Sequence, residues 1–503
     1  MVCTVEARKL NLSISSSSFP KVITSLLYEP TSLSLALIHS DSSFSLISPF
    51  SPFSINSISP QTLISPPISS ACFVPLSPNP KFQGCPDDKD VVFVTAGSHN
   101  GGTKVLLRFY VMGKGKVTGG KFGIVQVGCS QNGVSFDRKL GGVIVDVTHG
   151  IKVMLCGSVN YFAVYSASVA KLMVFGVRLA GDGRRELRLV KCAVIECQFP
   201  VMSVSVSFGC LIMGEMKGVR VFPLRALVKA KVGSRRSSRL VKGRVLNSNE
   251  EKHEEINVKL DGRKLKVPNG VIKPLYENHE FGKKIKNGAK VDSSRFLANG
   301  DVHNVIGVKS NANADDSHHV TVKPRSVKLR QDSGEWGIQF VSFNNTIDEG
   351  VKSREPQYAK TKAISIQAVS PQRFLVLDSD GDLHVLHLSK SGIAQMRRVP
   401  ATIKVQQLAA FPDSSANSRV WMSDGLNSAH ILTMPCPDTP DNEDSCNNEE
   451  KISHYSVTEV IFTSENIQAM IAVAANAVLL LGQGKYSSLL SFIWPAQKEL
   501  IIV

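Results

Sequence analysis

An all-β fold of about seven repeated four-stranded units is predicted by three observations. First, a three-part phrase recurs along the chain: an apolar strand, an apolar run ending in small polar residues, then a second alternating strand. It reads Ile23 to Pro30, Leu33 to Ile38, a turn over residues 39–43, and Phe44 to Ile47. It returns as Ile364 to Val369, Phe374 to Leu377, the turn Asp378-Ser379-Asp380-Gly381, and Leu383 to Leu386. It closes as Val457 to Phe462, Ala469 to Ala474, the turn Ala475-Asn476, and Val478 to Leu481. Second, the turns between runs use Gly, Asn, Asp and Ser, the residues that favour hairpins. Third, the phrase stands near both ends of the chain. A four-stranded sheet cannot bury its faces alone, so such units stack in a ring, and closure needs the two ends to meet. That is a β-propeller.

Each unit has its own warrant. The first spans Val22 to Ser48 and is followed by a Ser/Pro-rich connector, residues 49–69. The second holds Val91 to Val94 and Val105 to Val111, joined through Asn100-Gly101, a strong hairpin signal. The third covers Phe122 to Leu179, with Gly141-Gly142 and Gly157-Ser158 as turns. The fourth carries Ala193 to Phe199, Val204 to Phe208, Leu211 to Met213 and Val219 to Phe222. Units five to seven follow at 363–388, 405–434 and 457–481, with an acidic loop at 435–451 between the last two.

Between the fourth and fifth units the alternation stops. Residues 229–330 carry 23 Lys and Arg against 11 Asp and Glu, which is +12 of the chain's net +16. A structureless stretch this long does not fit inside a packed domain, so it reads as a disordered basic insert that leaves the ring. The domain organisation is therefore N-terminal blades over 1–228, the insert over 229–330, and C-terminal blades closing the same propeller over 331–503. Strand character resumes at Trp336 to Val341.

In turn placement the chain resembles WD-repeat proteins, whose repeats carry an early Gly-His and a late Trp-Asp pair. The echoes are His39-Ser40-Asp41, Asp378-Ser379-Asp380-Gly381 and Trp421-Met422-Ser423-Asp424-Gly425. None is the complete signature, and Trp421 precedes its Asp by three residues. The resemblance implies a non-enzymatic interaction scaffold that binds other proteins on a propeller face.

Site chemistry is sparse. Gly115 to Lys121 fits the spacing of a phosphate-binding loop, but Phe122 stands where a magnesium-binding hydroxyl is required. Asp378, Asp380 and Asp382 lack the glycine and carboxylate spacing of a calcium loop and read as a hairpin turn. His384 and His387 point to opposite faces of one strand, and strand histidines default to solvent. The ten cysteines include no Cys-x-x-Cys pair, so neither a zinc site nor a disulfide framework is expected. Cys72, Cys156 and Cys210 lie in apolar strands and read as small hydrophobes. No cofactor and no membrane span are expected.

The insert carries the functional signals. Lys283, Lys284 and Lys286 form a basic cluster that a nuclear-import receptor could read, flanked by Gly282 and Asn287-Gly288. Ser237 and Ser238 follow two arginines and form a candidate phosphorylation site, where phosphate would remove charge from the basic patch. The expected destination is the nucleus or cytoplasm. One alternative is a nucleic-acid- or chromatin-associated regulator that makes weak, salt-sensitive contact through the insert. Another is an organellar protein, since Ser13 to Ser18 with Arg8, Lys9 and Lys21 has the look of a transit peptide. The structural need for a first blade argues against its removal.

Overall fold

The computed structural model describes residues 6–10, 22–51, 61–77, 90–112, 122–180, 186–229, 326–332, 337–343, 361–389, 392–412, 418–434, 456–483 and 489–493. They form seven sheets, antiparallel except for two short strands paired in parallel at the edge of blade III, and these are the blades of one propeller. From the axis outward, blade I is Ile23–Glu29, Ser34–His39, Phe44–Ile47 and Gln61–Ile64. Blade II is Ser70–Pro75, Val91–His99, Lys104–Met112 and Gly142–Val145, extended by Val134–Asp137. Blade III is Val153–Ser158, Tyr161–Ser166, Lys171–Leu179 and Glu186–Glu196. Blade IV is Ser203–Ser207, Cys210–Glu215, Gly218–Pro223 and Gln339–Ser342. Blade V is Ala363–Ser370, Arg373–Asp378, Leu383–Leu388 and Ala394–Val399. Blade VI is Gln407–Ala410, Ser418–Ser423, Ser428–Met434 and Ser456–Phe462. Blade VII is Ile467–Ala474, Ala477–Gly482 and Leu489–Ile493, and its outermost strand is Glu6–Leu10, from the other end of the chain.

The innermost strands pack side by side in the order I to VII, and the seventh packs against the first. Burial follows from that ring. The middle strands of each blade are covered on both faces, so Leu35-Ala36-Leu37, Val92-Phe93-Val94 and Phe374 to Leu377 are consecutively buried. Outer strands alternate instead, as Glu186–Glu196 does. Among the described residues there are seven hydrophobic cores, each shared by two neighbouring blades. The core between blades VII and I joins Ile23, Leu35 and Leu37 to Val473, Leu479 and Leu481. Between blades II and III, Phe109 meets Phe162, which stacks on Phe175 at 5.1 Å.

Glutamines bridge neighbouring blades where no ladder can. Gln367 of blade V donates to the Leu408 carbonyl (2.5 Å) and accepts from the Ala410 amide (2.7 Å) of blade VI. Gln339 of blade IV does the same to Gly392 and Ala394 beside blade V (2.7 and 2.8 Å). Gln131 clamps both backbone groups of Lys191 on blade III. A primary amide both donates and accepts, as a peptide group does, so it completes the pairing a missing strand would have made.

Gln61–Ile64, inside the stretch read as a Ser/Pro-rich connector, is the outer strand of blade I, and the boundaries between units shift in three further places. Val457 to Phe462, expected to open the last unit, lies in the outer strand of blade VI. Ala193 to Glu196, expected in the fourth unit, closes blade III, and residues 134–145, expected in the third, belong to blade II. Each shift has one cause: an outer strand and the next inner strand look alike in apolar pattern, so the junction between blades is not marked. Residues 230–325 lie outside the described residues, and so does the disorder expected for them. Just before them, the short helix Leu224–Val228 (α1) buries Leu224 and Leu227 in the core shared by blades III and IV. Just after them, Val327–Arg330, inside the stretch read as insert, pairs in parallel with Ala193–Glu196 at the edge of blade III. Blade IV is therefore the one interrupted, receiving Gln339–Ser342 only after the insert.

Candidate interaction face

Strand order divides the connections between two faces. The turns from second to third strand, and the links from each outer strand to the next inner strand, lie on one face, called upper here. Over the axis, that face holds a depression of about 620 Å³ lined from five blades. Its floor is the start of the inner strands: Thr24, Ser69 to Ala71, Lys152, Met154 and Leu155, Met202 to Val204, and Ile364 to Ile366. The turn of blade I adds His39, Ser40 and Ser42. The depression is rich in hydroxyls, contains one ammonium, and has no carboxylate among its lining residues.

Buried polar pairs brace the turns of this face. In blade I, His39 Nε2 lies 2.8 Å from Ser45 Oγ. In blade IV, Arg220 donates twice to Glu215 (2.7 and 3.1 Å) and stacks over Phe340. In blade V, Asp378 Oδ2 meets His384 Nε2 at 2.8 Å, while its Oδ1 accepts the amides of Asp380 and Asp382. This corrects the solvent-facing expectation for His384, which is 4% exposed. The third strand of a blade is covered on both sides, so alternation does not point a side chain to water, and Asp378 supplies the partner that burial demands. The aspartates form a hairpin turn, as expected, with Gly381 at φ 80. Burial acts to raise the Asp382 pKa, but Lys404 (2.6 Å) and Arg398 (2.8 Å) outweigh it and hold the carboxyl below its usual value. The signal that sequence reasoning missed is spacing: a polar residue ends the second strand and its partner follows five or six positions later.

Apolar side chains stand out of the same face. Ile151 is 96% exposed, Phe462 75%, Leu426 55% and Phe199 49%. The Ile151 amide donates to Ser168 Oγ (3.0 Å), beside the exposed Val169, so the link into blade III and its own turn form one patch. Gln331 Oε1 accepts the amides of Gln198 and Phe199 (2.7 and 2.8 Å) and fixes the link into blade IV. Leu426 and Phe462 sit together where Ile467 donates to the Leu426 carbonyl and Thr463 to that of Asn427.

The other candidates divide plainly. Lys283, Lys284, Lys286, Ser237, Ser238 and the Gly115 to Lys121 loop lie outside the described residues. Among the described residues no cluster of His, Cys, Asp and Glu is arranged to hold a metal. Cys72 is buried, and burial pushes the thiol of half-buried Cys156 up to about 11. Among the described residues no helix is long and apolar enough to cross a membrane.

No described protein family matches the sequence, and no curated protein does. Solved structures are similar in outline. The β-propeller domain of Cps50 (Swd1) from Myceliophteria thermophila aligns over 98% of this chain and 100% of its own, at 7% identity and a TM-score of 0.43. BBS1N, in a crystal of its complex with ARL6DN, aligns over 97% and 98%, at 6% identity and a TM-score of 0.38. The propeller assignment stands on the seven sheets and their seven shared cores.

Proposed function

We propose that this chain is a non-enzymatic scaffold that binds another protein on the upper face of its propeller. The observation that carries the reading is the axial depression together with large apolar side chains exposed on the same face. A monomer gains nothing from holding Ile151, Phe199 and Phe462 in water, and apolar groups on the face that carries a polar depression suit a partner's surface. The braced turns support it as well, because a surface that does not reorganise on contact loses less affinity to ordering.

The reading is tested by proximity labelling in cells with three versions of the full chain: wild type, Ile151→Asp/Phe199→Asp on the upper face, and Val159→Asp on the lower. The upper-face variant is expected to lose a defined set of labelled neighbours while melting like wild type, and the lower-face variant to keep them. Identical neighbours in all three would end the proposal.

We also propose a nuclear destination, through Lys283, Lys284 and Lys286. Its support is the basic cluster and the polar residues around it, which favour the extended, exposed chain an import receptor binds. Replacing the three lysines with alanine is expected to move a fluorescent fusion from nucleus to cytoplasm without changing its melting temperature. A wild-type fusion in plastids or mitochondria would count against it.

A further inference from the structure

We propose that the axial depression receives one carboxylate, carried on an acidic side chain of an extended segment of the partner protein, and that Lys152 meets it. This rests on the upper face being the docking surface and adds what that surface selects. Other basic side chains of this face sit beside carboxylates of their own blade, Arg398 and Lys404 with Asp382 and Arg220 with Glu215. Lys152 has no carboxylate partner among the described residues, and no Asp or Glu lines the depression it faces. Its position is fixed from the backbone, since its carbonyl accepts from the Ala167 amide (3.0 Å).

The surroundings fit a carboxylate on a short aliphatic stem. Ser40, Ser42 and Ser365 place hydroxyls around the depression, and hydroxyls donate to carboxylate oxygens. Ile68, Met154 and Ile364 supply apolar wall for the methylenes below it. A volume of about 620 Å³ admits a side chain with its flanking backbone. One ammonium balances one carboxylate. A phosphoryl group carries close to two charges at neutral pH and would leave about one unbalanced.

The test uses the full chain and end-blocked peptides Ala-Leu-X-Leu-Ala, with X as Glu, Gln, Lys or phosphoserine, titrated by fluorescence polarisation. The Glu peptide is expected to bind, the Gln peptide about tenfold more weakly or worse, and phosphoserine no better than Glu. Lys152→Ala is expected to remove the preference for Glu over Gln, and Lys152→Glu to transfer it to the Lys peptide. Equal affinity for Glu and Gln, a preference for phosphoserine, a Glu preference unchanged in Lys152→Ala, or no binding of the Glu peptide in the millimolar range would each overturn the proposal. The two readings fail separately. If Ile151→Asp/Phe199→Asp loses its cellular neighbours while Lys152 proves irrelevant, the docking face stands and the carboxylate does not.

Discussion

Deleting residues 1–48 is expected to leave a chain with no cooperative melting transition. The deletion removes the outermost strand of blade VII, Glu6–Leu10, and three of the four strands of blade I. It opens two of the seven shared cores at once. The core between blades VII and I loses Ile23, Leu26, Leu35, Leu37 and Ile47, and that between blades I and II loses Phe44 and Leu46. These seven side chains are buried, and each contributes roughly 1.5–3 kcal/mol by burial. Their sum, about 10–20 kcal/mol, matches or exceeds the roughly 5–15 kcal/mol by which a whole domain is stable. A shorter deletion, of residues 1–21, removes only the outermost strand of blade VII and leaves both cores nearly whole. It is expected to lower the melting temperature while preserving a single transition. Scanning calorimetry of both truncations decides the matter. A soluble 49–503 fragment with one sharp transition would show that the ring does not depend on the meeting of its ends.

How much of this was legible in the sequence depends on which strand is considered. The middle strands declare themselves, because a strand covered on both faces must be a short continuous apolar run: Leu35 to Ile38, Phe374 to Leu377 and Val478 to Leu481 are such runs, and all were readable. The strand Glu6–Leu10 was not. It pairs with Leu489–Ile493, almost the full length of the chain away, and no local pattern can mark a partner at that distance. Val327–Arg330 was hidden for a similar reason, since its neighbour Ala193–Glu196 lies before the insert and the pairing is parallel. The site was less legible than the fold. Lys152 is an ordinary lysine beside a strand until four other blades bring hydroxyls and no carboxylates around it. The polar pairs were closer to view: Asp378 and His384, six positions apart across a tight turn, could have been read as partners once the third strand was recognised as buried.

Blades II and III approach each other closely near the axis, and Gly157→Val is expected to be a highly damaging substitution there. Gly157 lies on the inner strand of blade III, and a Cβ at this position would stand 2.0 Å from the Phe73 carbonyl oxygen on the inner strand of blade II. That neighbour is backbone, fixed by its own pairing with Phe93, so it cannot swing aside as a side chain would. Valine forces the two inner strands apart, and the separation extends into the core that holds Phe109, Phe162 and Phe175 between these blades. The cost is expected at or above the upper end of the ~1–3 kcal/mol usual for overpacking. Gly123→Ala is the control, because a Cβ there meets nothing within 4 Å, so the methyl enters open space. Denaturant melts of the two variants beside wild type give the comparison. The glycine at 157 is needed for close approach of the blades if its variant alone loses midpoint stability. A valine variant that melts like Gly123→Ala would mean that the inner strands can slide, and that the ring is held by its outer cores and not at the axis.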